Sequence, residues 1–138
     1  MTQYLYKKES YEVLGAAMDV YNELGSGFLE AIYHDALEIE LTARGIPYES
    51  QKPLIVFYRG QRLAHQYQAD VLCYDSILLE LKAVKEIHEV HLAQVLNYLK
   101  ATGLALGYLI NFGSPEKLQW QRVVLSENMN EDELGMGG

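Results

Sequence analysis

The chain has a single cysteine, Cys73, among 138 residues. An intramolecular disulfide is therefore excluded, and a lone thiol in an apolar run reads as buried and inert. That usage is compatible with a reducing cytoplasm, the expected location, without demanding one. Long apolar runs are also missing. The longest, Leu104 to Phe112, is far short of the ~20 residues a membrane-spanning helix needs, and it suits a buried strand. The opening MTQYLYKKES has no apolar core behind its lysines, unlike a signal peptide. Positive charge is scarce: 11 Lys and Arg face 19 Asp and Glu, for a net charge of −8. That balance argues against a broad electrostatic grip on nucleic acid. Its distribution weakens the objection, because Glu127, Glu131, Asp132 and Glu133 lie in a terminal stretch without Lys or Arg. Setting those four aside brings the −8 to −4 on the body.

What is present is the composition of a soluble globular protein, 49% hydrophobic and 22% charged. The length suits one domain over residues 1–125, able to bury a core without disulfides. Residues 126–138 read as a polar, glycine-rich tail. Helical spacing predicts a helix over 10–24, with Ser10 as N-cap and Gly25-Ser26-Gly27 as its stop. A second is predicted over 28–44, with Leu29, Ile32, Tyr33, Ala36, Leu37 and Leu41 as its buried stripe. After Pro47 the period changes to two. A meander follows, with strands Leu54–Tyr58, Arg62–Cys73 and Ile77–Val84, and turns at Arg59-Gly60-Gln61 and Asp75-Ser76. A third helix, His88–Ala101, precedes strands Leu104–Phe112 and Leu118–Leu125. The order α-α-β-β-β-α-β-β, with a helix long enough for a parallel crossover, predicts a mixed α/β sheet flanked by helices.

The stretch Gln68 to Val84 carries the chemistry. Its second strand is near-continuously apolar, as in strands buried on both faces, yet holds Glu80 and Lys82 on one side. Two readings stay open: a solvated face with ordinary surface charges, or charges taken out of water because they are paired or bind a cation. Pairing about the turn brings Asp70 near Glu80 or Leu81. Two carboxylates and the Leu81 backbone carbonyl make an all-oxygen site suited to Mg²⁺ or Mn²⁺. Such an ion activates water and stabilises charge on a phosphate, and Lys82 could assist.

Asp70, then Glu80-x-Lys82, then Gln94-x-x-x-Tyr98 on the next helix resembles the PD-(D/E)xK phosphodiesterase superfamily, in particular the RecB-like and Cas4-like nucleases. Gly27-x-x-Glu30-x-x-Tyr33 is similar to the signature of the small prokaryotic GxxExxY proteins, a branch of that superfamily. The resemblance spans about residues 10–125, with one departure: Ala69 stands where the Pro of a Pro-Asp pair would be. It implies a restriction-endonuclease-like core and a nuclease acting on DNA or RNA. It also implies that Asp70 and Glu80 bind metal, Lys82 assists catalysis and Glu30 completes an acidic cluster. Gln94 and Tyr98 would position the lysine or contact a phosphate.

Plainer readings stand beside these. Glu30 favours a helix dipole and Tyr33 is a core residue. Gln94 and Tyr98 form a polar helix edge. His65 is a satisfied strand residue, and His88 and His91 are helix-start surface positions, His91 bordering the cleft; their spacing fits no common zinc pattern. Tyr4, Tyr6, Tyr11, Tyr48, Tyr58, Tyr67, Tyr74 and Tyr108 read as packing. Arg59 and Arg62 are either solvated turn charges or phosphate contacts. A non-catalytic module that keeps a nuclease fold competes with the enzyme, and a homodimer fits either.

Overall fold

The computed structural model describes residues 5–129. Helix α1, Lys7–Leu24, buries Val13, Ala16, Ala17 and Val20 and is closed by Gly25 at φ 66°. Ser10 does not cap it. Lys7, Lys8 and Glu9 are good helix formers and carry the start back by a turn, so Ser10 is buried within the helix. Helix α2, Glu30–Ala43, buries Tyr33, Leu37 and Leu41. Leu29 and Ile32 were expected in that stripe but are 80% and 44% exposed. Only a narrow face of α2 packs inward, while its first turn stands over a cleft.

The strands are β1 Tyr48–Leu54, β2 Phe57–Tyr58, β3 Gln61–Arg62, β4 Tyr67–Cys73 and β5 Ile77–Lys82. Helix α3, Glu89–Thr102, then leads to β6 Leu106–Asn111 and β7 Gln119–Val124. The main sheet has the order β1-β4-β5-β6-β7. Strands β5 and β6 are parallel, joined by the α3 crossover, and the other neighbours are antiparallel. This is the expected mixed sheet flanked by three helices among the described residues. One face packs Ile77, Leu79, Leu81, Tyr108 and Phe112 against α1 and α2. The other packs Ala69 and Leu78 against Leu99 of α3.

The meander departs from expectation at its first strand. The strand that joins the sheet is Tyr48–Leu54, which half-buries one face in strict alternation. Its edge position tolerates Pro53, since among the described residues no strand pairs on its far side. The apolar run after Leu54 belongs instead to a separate hairpin, β2–β3, turning at Arg59 (φ 50°) and Gly60 (φ 77°). Consequently the next strand begins at Tyr67 rather than Arg62, and His65 lies exposed outside it. Past residue 125, a 3-10 turn over Ser126–Asn128 is pinned by Asn128 Nδ2 to the carbonyls of Leu99 and Leu104, both at 2.8 Å. The remainder of the expected tail, and Tyr4, fall outside the described residues. No helix among the described residues is long and apolar enough to cross a membrane.

Candidate active site

The β4–β5 turn is centred on Tyr74 and Asp75, both at φ 55°, one residue earlier than expected. Cα partners run from Cys73↔Ile77 to Val71↔Leu79, so the next step sets Asp70 across from Glu80. Backbone pairing stops there. The Asp70 carboxylate takes over as acceptor, receiving the Leu81 N–H on Oδ2 at 2.9 Å. On the other side of β4, pairing with β1 skips Gln51 and Asp70, and Gln51 sits at φ 55°. Such a break re-aims side chains. Its effect is visible two residues apart: Val71 packs toward α1 and α2, whereas Ala69 packs toward α3.

Glu80 is 8% exposed, which overturns its reading as a surface charge. Burial first, and the negative charge of Asp70 second, push its carboxyl up to about 7, while a hydrogen bond from Tyr67 and the charge of Lys82 pull the other way. The Tyr67 hydroxyl donates to Glu80 Oε1, and its ring stacks on Tyr98 with centroids 3.7 Å apart. Helix α3 therefore reaches the site through Tyr98, whose phenol is raised by burial and then by Glu80 and Asp70. Gln94 does not join them; it is exposed, and its side chain makes no hydrogen bond among the described residues. Lys82 is half-buried, and its positive charge acts on Glu80, Glu30 and His91. His91 stands at the start of α3, where Nδ1 accepts the His88 N–H at 3.2 Å.

Glu30 is positioned by its motif. Gly27 turns the chain at φ 112°. Tyr33, fully buried, donates to Gly25 O at 2.5 Å and accepts the Phe28 N–H at 3.2 Å. Its ring stacks on Phe112 at 4.7 Å. The glycine bends the loop, the tyrosine clamps it, and Glu30 opens α2 beside the sheet. Burial and then Asp70 raise the Glu30 carboxyl, against Lys82 and His34. A cleft of about 500 Å³ joins Glu30, His34, Asp35, Glu38, Gln51 and Asp70.

The donors fit a hard cation in part. A buried Glu80 beside Asp70, with no ion pair to either among the described residues, is a charge arrangement that a divalent ion would relieve. The expected three-carboxylate cluster is not formed: among the described residues no group of three His, Cys, Asp or Glu is gathered closely enough to hold a metal. Glu30 is within electrostatic reach of Asp70 but on another element, brought in from α2 rather than from the sheet. Sequence reasoning missed the part played by Tyr67. Alternation put Tyr67 and Asp70 on opposite faces, and only the break at Gln51 undoes that.

The family model described as the PD-(D/E)XK nuclease superfamily matches residues 7–123. The chain belongs to that superfamily. Its members generally use divalent metal ions. Among solved structures, the crystal structure of SSO0001 aligns at a TM-score of 0.56 with 18% identity. The alignment covers 94% of this chain and 61% of SSO0001, so the chain spans less than two thirds of that protein, and the likeness is one of fold. No curated protein sequence matches the chain.

Proposed function

We propose that the chain is a Mg²⁺- or Mn²⁺-dependent phosphodiesterase that hydrolyses DNA or RNA, and that it is of the GxxExxY branch. The observation that supports this most is the buried Glu80 set against Asp70 at a break in the sheet, with Lys82 at the end of the same strand. Asp70, Glu80 and the Leu81 carbonyl would hold the ion, with Glu30 as an outer acid. The ion would supply a Lewis acid and an activated water. Lys82 places a positive charge where a phosphate gains negative charge in the transition state. Tyr67 orients the Glu80 carboxylate, and Tyr98 braces Tyr67 by stacking. Gln94 faces solvent and would serve the substrate phosphate rather than the lysine. Two copies of the chain would be needed to cut both strands of a duplex at once, which favours a homodimer.

The test is metal-dependent cleavage of single- and double-stranded DNA and RNA. Asp70→Ala and Lys82→Ala should each reduce it by at least 100-fold, since removing one electrostatic group from such a centre costs about that much. A wild-type chain that cuts none of these with Mn²⁺ would sink the proposal. A second reading, a nuclease fold kept as a binding platform, is favoured by Tyr67 occupying a Glu80 oxygen and by the lack of a third side-chain ligand among the described residues. Calorimetry separates the two, because a platform takes up no Mn²⁺.

A further inference from the structure

The hairpin β2–β3 is an interruption in an otherwise regular meander. It leaves the sheet at the Leu54↔Tyr67 pair, so its base is the residue that donates to Glu80. From residue 57 to residue 66 every position is exposed. Phe57 and Tyr58 are 58% and 60% exposed, against the packing role expected of Tyr58. Arg59 lies over the Tyr58 ring at 5.4 Å. Neither Arg59 nor Arg62 makes an ion pair among the described residues. The hairpin is nonetheless held in shape: Tyr58 pairs with Gln61, Phe57 with Arg62, and the Leu63 N–H reaches Val56 O at 2.9 Å. Charge sharpens the contrast. In a chain with 19 acidic residues, the stretch from Gln51 to Ala69 contains none, while it holds Lys52, Arg59 and Arg62.

Exposed aromatics interleaved with unpaired arginines recognise a strand of unpaired nucleotides. Each base offers a face to stack on, and each phosphate a partner for a guanidinium. A duplex offers no free base faces, and an acidic or apolar protein surface would leave one half of the set unused. The acid-lined cleft repels a polyanion, so an approach from this arm supplies the missing attraction. We propose that the β2–β3 hairpin is a substrate arm that grips single-stranded nucleic acid beside the site, Tyr58 stacking on a base and Arg59 and Arg62 holding phosphates. This rests on the nuclease reading of the same site.

The experiment is fluorescence anisotropy of the full chain with labelled 20-mer single strands of DNA and of RNA, metal-free, across a salt series. Arg59→Ala/Arg62→Ala should weaken binding at least tenfold and lower the slope of log K against log salt by about 1.4, two phosphate contacts on a single strand. Tyr58→Leu, which keeps apolar bulk, should weaken it about fivefold or more, in the range of one lost base stack. A Lys100→Ala/Lys117→Ala control of equal charge change should bind as the wild type does. The DNA and RNA arms of the series tell which strand is preferred. Arm variants that bind like the control, or that change the mass of the particle in solution rather than its affinity, overturn the proposal. The two readings fail separately: a chain that binds through the arm yet never cuts refutes the nuclease, and one that cuts equally well without the arm refutes the arm.

Discussion

Glu80 concentrates the cost of building this site. Its carboxyl, ordinarily at 4.5, is pushed up to about 7 chiefly by burial. Between those values the native protein binds the proton more tightly than the unfolded chain, so stability falls as pH rises. Without metal, the fold should lose stability from about pH 4.5 to about pH 7, on the order of 3 kcal/mol for a shift of this size. Denaturant unfolding in EDTA would show it. Glu80→Gln should flatten that fall and make the chain more stable than wild type at pH 8; an unchanged pH profile in the variant would mean Glu80 is not the group responsible. Cys73 illustrates the opposite case, a buried group with no task. Burial raises its thiol to about 12, so a thiol reagent at pH 8 should leave it unmodified until the protein unfolds. Labelling in the native state would contradict the geometry.

At the scale of elements, the end of β5 is held by a neighbour rather than by its own sequence. Asn111, fully buried at the end of β6, accepts the Val84 N–H on Oδ1 at 2.9 Å and donates to Val84 O at 2.8 Å. Phe112 N–H reaches Lys82 O at 2.9 Å. Gly113 lets the two segments touch, because a Cβ there would lie 2.3 Å from Val84 O and 2.5 Å from Ala83 C, both backbone. Gly113→Ala therefore has no side chain to push aside. It should cost about 1–3 kcal/mol of stability and lower cleavage further by shifting Lys82. A variant with wild-type melting temperature and cleavage would show that this close approach is not needed. The β2–β3 hairpin and the break at Gln51 work on the same scale. One interrupts the meander, and the other turns Asp70 out of the ladder.

At the scale of the whole molecule, three elements converge on one region: α2 brings Glu30, the β4–β5 hairpin brings Asp70, Glu80 and Lys82, and α3 brings Tyr98. A ligand that binds only the folded arrangement stabilises all of them together. If Mn²⁺ sits between Asp70 and Glu80, an ion concentration ten times its dissociation constant should add about 1.4 kcal/mol of stability. Thermal unfolding with and without Mn²⁺ reads this directly. The rise should vanish in Asp70→Asn, and an equal rise in wild type and variant would place the ion elsewhere.

The three helices in their order, the mixed sheet with its helical crossover, and the placement of Asp70 across from Glu80 were legible in the sequence. Each rests on period and local spacing, which the chain dictates within a few residues. The glycines at 25, 27 and 60 marked their turns for the same reason, since each adopts a positive φ. Tertiary structure decided the rest. Whether Leu29 or Ile32 faces inward depends on how much of α2 the sheet can cover, and whether Leu54–Tyr58 pairs depends on which strand claims the edge. That Tyr67 meets Glu80 depends on a backbone break two strands wide. Neither a period nor a motif records such choices, because they are made by partners distant in the chain competing for the same faces.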